Sequence, residues 1–555
     1  MLSTVPAKLI FLLVGAFLLL PALYLDARVF QYSRPSGKAL FANISEDPKA
    51  ALWSVTYVAI YVMLCISIVV SPLVTRDWLR RIFGINVAVN ATAFVMYCHL
   101  TEMHKVTQNI HWNIIDTSLF ETLWAERSML RLVAPSYYME TVAGLLIFGC
   151  IAYVMCARPV GRWAVTGPVS WLPIGALAAS IVAALSTGGG MVSFPSSTSL
   201  LNGAAIKLAL APSVDTYERL PPNIRIGAAS PFKNIVLLMD ESVSSEFIWP
   251  AAQTQKVTPF LASNPSALID FGEAVSAHNC SIYSRFIMRY GIRPWALPDK
   301  LVRSLGHSGP TFWQFASKAG YETVHINGMA RLSPLQGGGI REAAEINRTI
   351  DINPAEFHAR DGEVLSRLIE NLKTPGRKFI FAEKFGVHFP YEFTYPDREA
   401  FFDVGGSVDL NTRRMNHYKN GIRWSVDKFL AKLISEVDLD QTLIIYTSDH
   451  GQKFGTSVTL RPHCSTGPGV DRVEAAVPMM VAAGDSTWAR EFSEAAARSK
   501  GATSHFQIFP TLLMSMGYEP AEVIRLYGPS LLGHPPVRRQ FLVGSGESLR
   551  WIGAD

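Results

Sequence analysis

Three segments far apart in the chain place acids and imidazoles directly after apolar runs. Residues 234–239 (NIVLLM) lead into Asp240, Glu241 and Ser242. Residues 378–382 (KFIFA) lead into Glu383, then Val387 and His388. Residues 442–447 (TLIIYT) lead into Ser448, Asp449, His450 and Gly451. Carboxylates and imidazoles are ligands suited to zinc or manganese. Asp449-His450 alone also reads as a polar turn, and Glu241 alone as a helix-capping acid. Three such strand ends together point to one cation site. A site of that kind needs a group to activate, and AHNCSIYSRFIMRYG offers Ser281 and Ser284. A serine hydroxyl is a weak nucleophile at neutral pH, and binding to a divalent metal lowers its pKa.

The elements that must position these residues are apolar strands separated by helical patterns. Residues 234–239, 322–326, 378–382, 442–447 and 477–482 read as strands, and 311–319, 362–372 and 415–437 as helices. Continuous apolar strands alternating with helices predict a largely parallel sheet covered on both faces, an α/β/α sandwich. Ligands in such sheets bind beyond the C-terminal ends of the strands. His325 falls inside a strand pattern and reads as a core residue or a support for the site.

Hydrophobic residues make up 49% of the 555 positions, and the long apolar runs lie almost entirely in 1–191. Five stretches, 8–25, 50–74, 82–100, 139–156 and 169–191, have the composition of membrane spans, which need about 20 apolar residues. Arg76, Arg80 and Arg81, then Arg158 and Arg162, mark two cytoplasmic loops. The loop 101–138 and everything after the fifth span are then outside. In that loop Asn113, Thr117 and Glu121 are spaced four apart, so they share one helix face. The segment reads equally as an amphipathic helix resting on the membrane. His99 and His104 sit at the end of the third span. Residues 192–230 read as a linker and 231–555 as the outer domain.

The net charge of +5 comes without any dense Lys/Arg tract, which excludes a nucleic-acid footprint. Of the six cysteines only Cys280 and Cys464 lie in the globular part, so no disulfide framework is written. A Cys280–Cys464 bridge stays open, because both lie near proposed site residues.

The order DES, NCS, HFPYEFTYP, SDHG and a further histidine resembles the membrane phosphoethanolamine transferases of the alkaline phosphatase/sulfatase superfamily, of the lipid A-modifying and colistin-resistance type. The resemblance implies Glu241, Ser281, Asp449 and His450 as metal ligands and Ser281 as nucleophile. It implies His388 and His463 as substrate contacts, and Asn113, Thr117 and Glu121 as a headgroup element. Ser504-His505 before FQIFPTLL resembles the family's C-terminal helix. The implied cofactor is Zn2+, with Mn2+ as the alternative. The implied partners are phosphatidylethanolamine as donor and a lipid or glycan acceptor such as lipid A or a core sugar. A monomer in the bacterial inner membrane is expected, with its catalytic domain in the periplasm.

Three departures stand out. Serine replaces the usual threonine, the disulfide set of the lipid A enzymes is missing, and D-E-S replaces G-E-T, which puts an extra acid, Asp240, beside the metal. Ser281-Ile282-Tyr283-Ser284-Arg285 also resembles the sulfatase signature C/S-x-P-S-R without its proline. The alternatives are therefore a phosphoglycerol transferase of the lipoteichoic acid synthase or glucan type, a sulfatase or phosphodiesterase, and a catalytically dead lipid sensor.

Overall fold

The computed structural model describes residues 219–555, less 251–253, 294–308, 330–334, 336–339, 353–355, 390, 407, 455–462, 466–469, 485–486, 535–538, 544–549 and 555; before them only 77–78, 167–171 and 175 are described. Met1–Pro212 and Ser213–Asp555 are separate compact units. In the first, Gly167–Trp171 forms a 3-10 turn, and the Trp78 and Trp171 rings meet edge to face at 5.7 Å. The expected spans lie almost wholly outside the described residues, as do Asn113, Thr117, Glu121, His99 and His104. Among the described residues no helix is long and apolar enough to cross a membrane.

The second unit is built on an eight-stranded sheet, ordered β4-β3-β5-β1-β6-β7-β2-β8. Its strands are β1 (Asn234–Asp240), β2 (Ile269–Val275), β3 (Glu322–Asn327), β4 (Arg348–Asp351), β5 (Lys378–Glu383), β6 (Thr442–Ser448), β7 (Ala476–Ala482) and β8 (Thr503–Ser504). The pairings of β1 with β5 and β6, of β3 with β4 and β5, and of β2 with β8 are parallel. β7 runs antiparallel to both β6 and β2. The sheet is therefore largely parallel, as the apolar pattern predicts, with β7 alone reversed. A strand buried on both faces reads the same in either direction.

β1 shows why its sequence is apolar throughout. Ile235, Leu237 and Met239 enter a core with Phe312, Trp313, Phe509 and Leu512 on one face. Val236 and Leu238 enter a second core with Val364, Leu368, Tyr418 and Leu430 on the other. The helices that supply these layers include α1 (Ser281–Tyr290), α2 (Phe312–Lys318), α3 (Phe357–Lys373), α4 (Leu410–Ile422), α5 (Phe429–Glu436), α6 (Thr487–Ser499) and α7 (Ile508–Ser515). The helical pattern read over 415–437 is α4 and α5 joined through a π-helical turn, Arg423–Lys428. A small antiparallel pair, β9 (Gln540–Val543) and β10 (Arg550–Gly553), follows the main sheet.

Candidate metal centre

Parallel pairing of β1 with β5 and β6, with β2 returned to the same direction through the antiparallel β7, brings the C-terminal ends of β1, β5, β6 and β2 to one edge of the sheet. From β1 comes Glu241, from β6 come Asp449 and His450, and β2 leads through 276–280 into Ser281 at the first turn of α1. Glu241, Asp449 and His450 each present a ligand atom, and these atoms all lie within 4.8 Å of one another. Ser281 Oγ lies 3.2 Å from both carboxylate oxygens of Glu241 and 3.1 Å from His450 Nε2. The start of α1 adds the positive end of a helix dipole to that hydroxyl.

The supporting bonds aim each donor inward. His450 Nδ1–H donates to the Gly451 carbonyl at 2.8 Å, which leaves Nε2 for the cluster. Asp449 Oδ1 accepts from the backbone N–H of Ser242 and of His450, at 3.1 and 2.8 Å. Its Oδ2 is buried and meets a side-chain cation, the Arg285 guanidinium at 3.1 Å, in place of a backbone donor. Ser242 holds a left-handed φ of 62°, and its hydroxyl donates to Glu241 at 2.9 Å. Gly386 has φ +59°, and a Cβ there would meet the Glu241 backbone N and O at 2.6 Å. Only glycine allows that loop so close to Glu241.

Burial raises the acids of this centre, and neighbouring charge then separates them. Burial works against Glu241, but the Arg285 guanidinium and His450 hold its carboxyl well below the ordinary range. Asp449 is pushed upward by burial and by the charge of Glu241. Burial works against protonated His450, and Asp449 and Glu241 outweigh it, raising the imidazole. Two carboxylates and an imidazole converging within 4.8 Å of one another, with a hydroxyl in hydrogen-bond reach of Glu241 and His450, fit a divalent cation of the zinc type.

His463 reaches the same place: its ring centroid is 4.2 Å from that of His450. Its Nδ1–H donates to Gln452 Oε1 at 3.0 Å, and the Gln452 amide donates to Tyr391 Oη. His388 donates from Nδ1 to the Phe389 carbonyl at 2.6 Å. Cys280 and Cys464 are bridged. The bridge joins the residue before Ser281 to the residue after His463, and Cys464 N–H also bonds Asn279 O at 2.9 Å.

One sequence reading changes. Asp240 does not face the cluster. It shares a face of β1 with Val236 and Leu238, and its carboxylate meets Lys384 Nζ at 2.7 Å and the Tyr446 hydroxyl at 2.7 Å. Ser284 is turned away from the centre and sits fully buried against His505, Oγ to Nδ1 3.2 Å. Sequence reasoning also left Arg285 without a role. Its guanidinium is buried against Glu241 Oε2 at 2.6 Å, Asp449 Oδ2 at 3.1 Å and Glu383 Oε1 at 3.3 Å. A basic residue four positions after the nucleophile was the available signal.

With this geometry in place, the wider kinship is clear. A sulfatase family model matches residues 233–518, and the chain belongs to that family. The unit Ser213–Asp555 is an alkaline phosphatase/sulfatase-like α/β domain. Among solved structures, the chain resembles the integral membrane lipooligosaccharide phosphoethanolamine transferase A of Neisseria meningitidis, with TM-score 0.56 and 16% identity, covering 90% of this chain and 96% of that one. The C-terminal periplasmic domain of EptC from Escherichia coli in complex with zinc aligns with TM-score 0.48 and 18% identity, over 61% of this chain and 97% of that one. A search of curated proteins finds no match.

Proposed function

We propose that the chain is a metal-dependent phosphoethanolamine transferase of the bacterial inner membrane. In this reading residues 1–191 span the membrane, 192–230 tether, and 231–555 work in the periplasm. The observation that carries it is the position of Ser281 Oγ, at a helix start and within 3.2 Å of both Glu241 and His450. The Neisseria protein, whose name states this activity, shares the fold along 90% of this chain, which supports the same reading.

A divalent cation held by Glu241, Asp449, His450 and Ser281, zinc or alternatively manganese, would lower the pKa of the Ser281 hydroxyl and draw charge from the phosphoryl group. Ser281 Oγ attacks the phosphorus of phosphatidylethanolamine. The Oγ–P bond forms as the bond to the diacylglycerol oxygen breaks, and diacylglycerol leaves with one proton. An acceptor hydroxyl or phosphate, on lipid A, a core sugar or a glycan, then takes the group and restores Ser281. His463 and His388 offset charge on the transferring group. Asn113, Thr117 and Glu121 receive the headgroup, with Glu121 opposite the ammonium. The working unit is a monomer.

A second reading, a sulfatase or phosphodiesterase, is favoured by family membership and by the Ser281…Ser284-Arg285 pattern. Full-length protein in vesicles with headgroup-labelled lipid and lipid A separates them. The expected outcome is label moving from phosphatidylethanolamine to acceptor with diacylglycerol formed. Label released as free headgroup into water would establish the second reading, and transfer from phosphatidylglycerol alone would establish a phosphoglycerol transferase.

A further inference from the structure

Arg285 occupies an unusual place for a permanent cation. It is 0% exposed and lies between the two carboxylates that serve the candidate metal centre. Arginine stays charged at any working pH, and its planar fork suits several carboxylates at once. A charge held so deeply needs fixed partners. The third partner, Glu383 at the end of β5, takes no part in the Glu241–Asp449–His450 cluster. Glu383 is anchored in turn by His325 of β3, whose Nε2–H donates to Glu383 Oε2 at 2.6 Å. The His325 ring lies flat on Phe381, 5.6 Å between centroids and 11° apart. β3 and β5 pair in register at this level, His325 opposite Phe381 and Asn327 opposite Glu383. A rigid relay therefore runs from the sheet to the guanidinium.

The charge count gives the relay a purpose. With a metal bound its ligands are deprotonated, and Glu241, Asp449 and Glu383 would together carry three negative charges around Arg285. With the imidazoles counted neutral, Arg285 and one divalent cation balance them, and a buried site is least costly when balanced. Arg285 and the cation also compete for Glu241 Oε2 and Asp449 Oδ2. We propose that Glu383 and His325 are positioning residues that take up part of the Arg285 charge through its Nη1, which weakens the hold of its Nη2 on these two oxygens, so that the guanidinium acts as a built-in counter-cation setting the affinity of the metal centre. The inference rests on the metal reading above and adds the residues that tune it.

The test measures zinc affinity by chelator competition on full-length protein, with fold checked by circular dichroism. Removing the competitor should tighten the site: Arg285→Met is expected to raise zinc affinity about tenfold or more. Weakening the anchor should loosen it: Glu383→Gln and His325→Phe are each expected to lower affinity about tenfold. His325→Gln, which can still donate a hydrogen bond, should recover most of the loss. In an Arg285→Met background Glu383→Gln should have little further effect, because it acts through Arg285. A fall in affinity for Arg285→Met, an additive loss in the double variant, or unchanged affinity in both Glu383→Gln and His325→Phe overturns the proposal. Should Arg285→Met not fold, the Glu383 and His325 variants carry the test by their direction and by the His325→Gln recovery. A wild-type protein that binds no zinc or manganese at all would instead sink the metal reading itself.

Discussion

Asp449 divides its two oxygens between two tasks. Oδ1 is fixed by two backbone donors, and Oδ2 is left for a cation or for Arg285. Asp449→Asn and Glu241→Gln keep the shape and remove the charge, so both should lose nearly all bound zinc; full zinc by elemental analysis would take that residue out of the ligand set. His505 supplies a pH prediction. Burial drives its imidazole down to about 3 from the ordinary 6.5. Its Nδ1 accepts from the Ala277 N–H and its Nε2 meets Thr447 Oγ1, which suits the neutral ring. The unfolded chain then binds a proton that the folded one refuses. Stability from this group is complete above pH 6.5 and falls as pH drops toward 3, by at most about 1.4 kcal/mol per unit. His505→Gln should flatten that slope in denaturant titrations run at several pH values, and an identical slope would contradict the assignment. Glu241, Ser281, Asp449 and His450 were legible because each follows an apolar strand or a distinctive turn. The direction of Asp240 was not. Sequence gives adjacency, whereas successive strand side chains point to opposite faces, so Glu241 turns to the cluster and Asp240 to Lys384.

At the level of elements, two loops and one turn do most of the positioning. The Cys280–Cys464 bridge closes a separation of 184 residues and ties the start of α1 to the loop of His463. Cys280→Ser with Cys464→Ser should lower stability by about 2–5 kcal/mol. Transfer activity should fall further than the unfolded fraction explains, because Ser281 and His463 lose their common tether; activity that tracks stability alone would limit the bridge to a structural role. The bridge could not be read from sequence, since pairing depends on a fold that brings distant loops together. β2 was missed for a local reason. Its sequence, IDFGEAV, breaks the apolar run, and its register shifts between Asp270 and Glu273 around Gly272 at φ 74°. The π-helical turn was also hidden, because α4 and α5 keep one helical pattern across it. That turn offers the Ser425 carbonyl to Lys384 Nζ, the partner of Asp240, and so braces the floor beneath Glu241.

Across the whole molecule, one mixed sheet gathers chemistry from segments that the chain keeps more than two hundred residues apart. Strand ends set the site, and the two cores that flank β1 hold those ends in register. The α/β class and the site edge were legible because buried strands are apolar and end abruptly in polar residues. The reversed direction of β7 was not, since an apolar run carries no arrow. Membership of the sulfatase family agrees with the proposed attack by the Ser281 hydroxyl on phosphorus, and the proposed membrane region makes a lipid the proposed donor. The central claim is that Ser281 carries the group between donor and acceptor. Mass spectrometry of full-length protein incubated with phosphatidylethanolamine, without acceptor, tests it most directly. The expected result is one phosphoethanolamine unit on the peptide containing Ser281, lost on adding acceptor and absent in a folded Ser281→Ala variant. An adduct on another residue, or transfer that survives Ser281→Ala, would contradict the account.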